Sequence, residues 1–130
     1  MVRILRTAAI AVAVLLLAGC VGERFSDLEG PATADDVLPA DLPDYASEEI
    51  DADSVRYVGE HEGRTFYLAL RDPSGICVIV YQSSEQWVSG CGGMGNVSVY
   101  DGTVTASVVP DGSPVPENGI RIGNNIVLED

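Results

Sequence analysis

Ile76-Cys77-Val78-Ile79-Val80-Tyr81 is a nearly continuous apolar run, and its reading decides the fold. A short, β-branched run between turn residues describes a buried central strand. Just upstream, Asp72-Pro73-Ser74-Gly75 suits a type I turn. Before that turn, Thr65 to Leu70 reads as a strand, and Glu60-His61-Glu62-Gly63 as the hairpin turn that joins it to Tyr57-Val58-Gly59. Downstream, Trp87 to Cys91 is a further strand. Val97 to Tyr100 and Thr103 to Val109 flank Asp101-Gly102, a two-residue hairpin signal. Pro110 to Gly119 is a loop, and Ile120-Arg121-Ile122 and Ile126-Val127-Leu128 flank a last turn at Gly123-Asn124-Asn125. Short strands with turns between them predict an all-β domain over residues 54–130: a small antiparallel meander, sandwich or open barrel.

The 33 residues before this domain have a different composition. Residues 21–53 carry eleven Asp or Glu against one Arg, together with Pro31, Pro39 and Pro43. No apolar period is sustained. High charge with low hydrophobicity does not offset the entropy of ordering, so residues 20–53 are expected to form a disordered acidic tether. Such a chain spans on the order of 30 Å. One helical turn is expected near Ala46 to Asp53, with Ser47 as its cap. The carboxylates lack the spacing of a calcium loop.

The chain has 130 residues and a formal net charge of −13, and its basic residues are all Arg. That acidity excludes a nucleic-acid partner, because phosphate binding needs a basic patch. The domain itself has four Arg against nine acids, so most of the charge belongs to the tether. The apolar fraction of 46% is likewise inflated by the first 20 residues. There, Arg3 and Arg6 precede the apolar run Ala8 to Leu17, and small residues follow at a cut site. This is the arrangement of a secretory signal peptide, too short to anchor by spanning a hydrocarbon core of about 30 Å.

Leu17-Ala18-Gly19-Cys20 resembles the lipobox of bacterial lipoprotein precursors. The resemblance covers residues 1–20. It implies that residues 1–19 are removed, that Cys20 is joined to diacylglycerol and acylated, and that the protein is anchored on the extracytoplasmic face of the cell membrane. Val21 follows the box where an inner-membrane retention signal has Asp. The run Val58-Gly59-Glu60-His61-Glu62-Gly63 and the remaining cysteines are similar to small lipoproteins of actinobacteria, a resemblance that brings no activity.

With Cys20 given to lipid, Cys77 and Cys91 remain, and in an oxidising compartment they read as one disulfide. A metal or redox pair is the alternative, but the spacing has no C-x-x-C character. If Cys77 lies opposite Cys91, then Ile79 faces Ser89 and Tyr81 faces Trp87 across a loop from Gln82 to Gln86. That register predicts a cross-strand aromatic pair. A domain of 77 residues has a marginal core, which makes the disulfide a structural staple.

No catalytic constellation emerges. His61 is the sole histidine and sits in a predicted turn, and no G-x-S-x-G elbow is present. Glu60 and Glu62 flank His61, but strand neighbours point to opposite faces, which argues against a metal site. Gly90-Cys91-Gly92-Gly93-Met94-Gly95 matches G-x-G-x-x-G without the following helix that dinucleotide binding requires. It reads instead as a loop or bulge beside the disulfide. Aromatics could supply a stacking surface, with Tyr81, Trp87 and Tyr100 as candidate binding residues. The expected function is therefore a membrane-anchored, non-catalytic lipoprotein without cofactor or metal. Its β-domain would bind an envelope glycan or protein. The alternatives are a tethered inhibitor or accessory subunit using the Pro110 to Gly119 loop, and a small envelope hydrolase.

Overall fold

The computed structural model describes residues 23–93 and 96–130. The leader and Cys20 lie outside the described residues, as do Met94 and Gly95. Eight strands form two antiparallel sheets of four. The first sheet contains β1 (Arg56–His61), β2 (Arg64–Leu70), β3 (Ile76–Ser83) and β4 (Gln86–Gly92), in the order β1-β2-β3-β4. The second contains β5 (Ser98–Tyr100), β6 (Thr105–Val108), β7 (Ile120–Ile122) and β8 (Ile126–Glu129), in the order β5-β6-β8-β7. The all-β expectation is met, and the arrangement is a sandwich.

Alternation along the strands builds the core between the sheets. Phe66 and Leu68 of β2 and Ile76, Val78 and Val80 of β3 point inward. They meet Val104, Ala106, Val108, Ile122, Ile126 and Leu128 from the second sheet. The other face of the first sheet carries Tyr67, Ala69, Cys77 and Ile79, and it is buried too. Ile76 to Val80 is therefore apolar without alternation because both of its faces are covered.

The second cover comes from the segment expected to be disordered. Leu38, Leu42 and Ile50 pack on this outer face, beside Val55 of the domain itself. Ile50 forms a β-bridge with Arg71, and the Asp51 N–H donates to the Leu70 carbonyl at 2.9 Å. Further upstream, Phe25 is buried in the core between the sheets, with Leu28 packed beside it. The expectation of a disordered tether is corrected over these residues. Its acids are not only solvated charges: Asp36 Oδ1 accepts the Tyr57 N–H at 2.8 Å, and Asp41 accepts the Tyr81 hydroxyl at 2.7 Å. Short 3-10 turns at Ser26–Leu28, Asp44–Ser47 and Ala52–Ser54 replace the single helical turn expected near Ala46 to Asp53. Ser47 closes the second of these rather than capping a helix, by donating its hydroxyl to the Asp44 carbonyl.

The register around the disulfide is as expected: Cys77 pairs with Cys91, Ile79 with Ser89 and Tyr81 with Trp87. Cys77 and Cys91 are disulfide-bonded across β3 and β4. The hairpin is tighter than expected. Ser83 pairs with Gln86 after a bulge at Gln82, so Ser84-Glu85 is the turn. The β1–β2 turn is likewise reduced to Glu62-Gly63, both at positive φ (49° and 79°), as a two-residue turn of the I′ type requires. The Asp101-Gly102 hairpin is longer than expected. Tyr100 pairs with Thr105, and Asp101 Oδ1 holds the four-residue loop by accepting the N–H groups of Thr103 and Val104.

Candidate functional site

Beneath the β3–β4 turn, between the two sheets, lies a cavity of about 320 Å3. Arg64, Gln82, Glu85, Gln86, Asp101 and Thr103 supply its polar lining. Arg64 begins β2 in phase with Phe66 and Leu68, so its side chain is directed into the sandwich. Only 9% of that side chain is exposed. Its Nε donates to Asp101 Oδ2 at 2.5 Å, joining the first sheet to the β5–β6 loop. Gln82 Nε2 reaches the same oxygen at 3.4 Å. The two terminal nitrogens of Arg64 have no protein acceptor among the described residues and keep contact with solvent, and Arg64 lines the cavity.

Asp101 is itself 5% exposed at its side chain. Burial pushes its pKa upward. The Arg64 hydrogen bond and the N–H groups of Val104 and Thr103 outweigh that effect and hold the carboxyl below its ordinary value. The Asp101 carboxylate is thus stabilised beside Arg64, whose donor valence is only partly used.

The three aromatic candidates do not form one surface. Tyr81 lies on the outer face of the first sheet, with its hydroxyl on Asp41. Its pKa is raised by that hydrogen bond. Trp87 lies opposite Tyr81 and so shares that outer face, where its ring packs on Tyr45 with centroids 5.8 Å apart. The cross-strand register with Tyr81 holds, but the ring partner of Trp87 comes from the N-terminal segment. Tyr100 is out of phase with Val99, which packs against the core, and so stands on the opposite outer face of the sandwich, 63% exposed. Strand alternation separates it from the other two.

His61 ends β1 at the turn, 3.9 Å from Glu62 Oε1. His61, Glu62 and Asp130 border a smaller cavity of about 110 Å3. Among the described residues no group of three His, Cys, Asp or Glu side chains could hold a metal ion. The glycine motif is resolved by packing. Gly90 and Gly92 belong to β4, where an added Cβ would lie 2.6 Å from Val99 Cγ1 and from the Asn96 carbonyl oxygen, respectively. Their lack of a side chain lets β4 approach the chain entering β5.

A strand taken to start at Thr65 leaves Arg64 outside it, whereas β2 begins at Arg64. Its signal is a charged residue in phase with Phe66 and Leu68, where a strand directed at a core normally carries apolar residues. Gln82, Gln86 and Thr103 carry no such signal, because turn geometry alone brings them to the cavity. No family model, curated protein or solved structure matches the chain.

Proposed function

We propose that this chain is an extracytoplasmic lipoprotein, anchored through acylated Cys20, whose β-sandwich is a non-catalytic module that binds an envelope component. The observation that carries the anchoring is the Cys77–Cys91 disulfide. It uses two of the three cysteines and belongs to an oxidising compartment. Cys20 is left as the odd cysteine, immediately after Leu17-Ala18-Gly19. Two acyl chains give stable anchoring where one is marginal. The binding role is supported by the cavity at Arg64.

The anchor would be short. The Arg24 carbonyl accepts the Asp111 N–H at 2.7 Å, so the chain is held to the sandwich from that residue on. Only Val21, Gly22 and Glu23 separate it from Cys20. Fully extended, that link spans about 14 Å. The domain would therefore sit against the lipid surface, not some 30 Å above it.

Cell fractionation of the full-length chain tests the anchor. The parent is expected in the membrane fraction, with a diacylglyceryl-modified Cys20 peptide in its mass spectrum. Cys20→Ser is expected in the soluble extracytoplasmic fraction. A variant that stays as membrane-bound as the parent overturns the reading. The second reading, a tethered inhibitor or accessory subunit, is favoured by the hydrogen bonds that shape the exposed Pro110 to Gly119 loop. Arg121 donates to the Ser113 carbonyl, and Gly119 N–H to the Pro116 carbonyl. Capture of one stoichiometric protein partner, lost when this loop is replaced by glycine and serine, would select it.

A further inference from the structure

We propose that the cavity at Arg64 binds one neutral sugar unit of an envelope glycan through adjacent hydroxyl groups. This rests on the reading of the sandwich as an envelope-binding module.

The first observation is the state of Arg64. A guanidinium carries five N–H donors in a fixed fork, and those not bonded within the protein are available to a ligand. Here most of the side chain is buried, its Nε is bonded to Asp101, and its terminal nitrogens, with no protein acceptor among the described residues, keep the solvent contact through which a ligand in the cavity would reach them. A pair of parallel donors fits two acceptor oxygens held side by side, as on a carboxylate, a phosphate or a vicinal diol.

Electrostatics chooses among these. Asp101 already neutralises Arg64, and Glu85 stands on the same wall, so the charged lining sums to −1. The whole chain carries −13. An anion would approach against this field. A cation would meet the buried guanidinium. A neutral polyol meets neither penalty. Its hydroxyls both donate and accept, as do the Gln82 and Gln86 amides and the Thr103 hydroxyl around Arg64. The volume of about 320 Å3 is at the lower end for a small-ligand site, which suits one ring of a longer chain whose remainder stays outside.

Occupancy is read as the heat of binding in isothermal titration calorimetry. The mature full-length protein in detergent is titrated with maltotriose, mannotriose and N,N′-diacetylchitobiose, and separately with glucuronate and inorganic phosphate. A saturable heat with at least one neutral saccharide, and weaker binding of both anions, is expected. Gln82→Ala and Gln86→Ala alter exposed side chains that do not build the core. Each is expected to weaken saccharide binding about tenfold, the worth of one hydrogen bond to ligand. Unchanged far-ultraviolet circular dichroism would show that each variant is folded. Tighter binding of glucuronate or phosphate, no saturable saccharide binding, or full binding by both variants overturns the proposal. Retention of the protein on isolated envelope glycan is measured in parallel. Retention that survives both substitutions leaves the envelope-binding reading standing and removes this site from it. No retention of the parent removes the reading itself.

Discussion

Asp101 illustrates how much one side chain can hold. Its Oδ1 accepts two backbone N–H groups of its own loop, and its Oδ2 accepts Arg64 from the opposite sheet. Asp101→Ala leaves Arg64 buried without its counter-charge and should cost about 3–5 kcal/mol in denaturant unfolding. Replacing both partners by apolar residues of similar volume should recover most of that loss. Other carboxylates tie the chain together similarly. The Ser26 N–H and the Asn125 amide hold Asp111 below its ordinary value. Asp36 is shifted the same way, the bonds from Thr33 and Tyr57 outweighing its desolvation. A depressed carboxyl stabilises the fold above its unfolded value of about 3.9, and that contribution disappears as pH falls through the folded value. Tyr81, raised by Asp41, stabilises below about 10 and loses its contribution as pH rises through its folded value. The denaturation midpoint should therefore fall both below about pH 4 and above about pH 10. A midpoint unchanged between pH 5 and pH 3 would refute the acid arm.

The N-terminal segment departs furthest from what its composition predicts. Its apolar residues, Phe25, Leu28, Leu38, Leu42 and Ile50, are too sparse to show a period of 2 or 3.6, so pattern counting finds only charge. The requirement for it was nonetheless written elsewhere. Ile76 to Val80 lacks the polar alternation of a strand with one wet face, so something must cover its second face. Phe25→Ala separates the two views. A residue of a disordered tether could be truncated without effect, whereas loss of this buried ring should cost about 3–5 kcal/mol. Ile50→Asp should loosen the outer cover and speed reduction of the Cys77–Cys91 disulfide by dithiothreitol. Equal reduction rates in parent and variant would mean that the cover does not protect the bond.

At the scale of the molecule, a thin sandwich is held by three kinds of closure: the shared core, the wrapped N-terminal segment and one disulfide. Reducing the disulfide out of the design, as Cys77→Ala with Cys91→Ala, should lower stability by about 3 kcal/mol for a loop of this size. Retained cooperative unfolding in that variant would show that the other two closures suffice. Periodicity and turn residues by themselves determined the all-β class and the approximate strand positions, and, with Cys20 set aside by its lipobox resemblance, the facing of Cys77 and Cys91 carried the register, because these depend on residues near in sequence or on one hairpin. Turn lengths escaped them, since the Asp101 carboxylate and the Gln82 bulge set those through hydrogen bonds and not through residue type alone. Tertiary structure alone decided three further matters: which outer face each aromatic occupies, which acids accept hydrogen bonds, and that Arg64, Gln82, Gln86 and Thr103 line one cavity. Those outcomes follow from the stacking of two sheets and a wrapped strand of chain, a geometry that brings together residues from separate strands and loops.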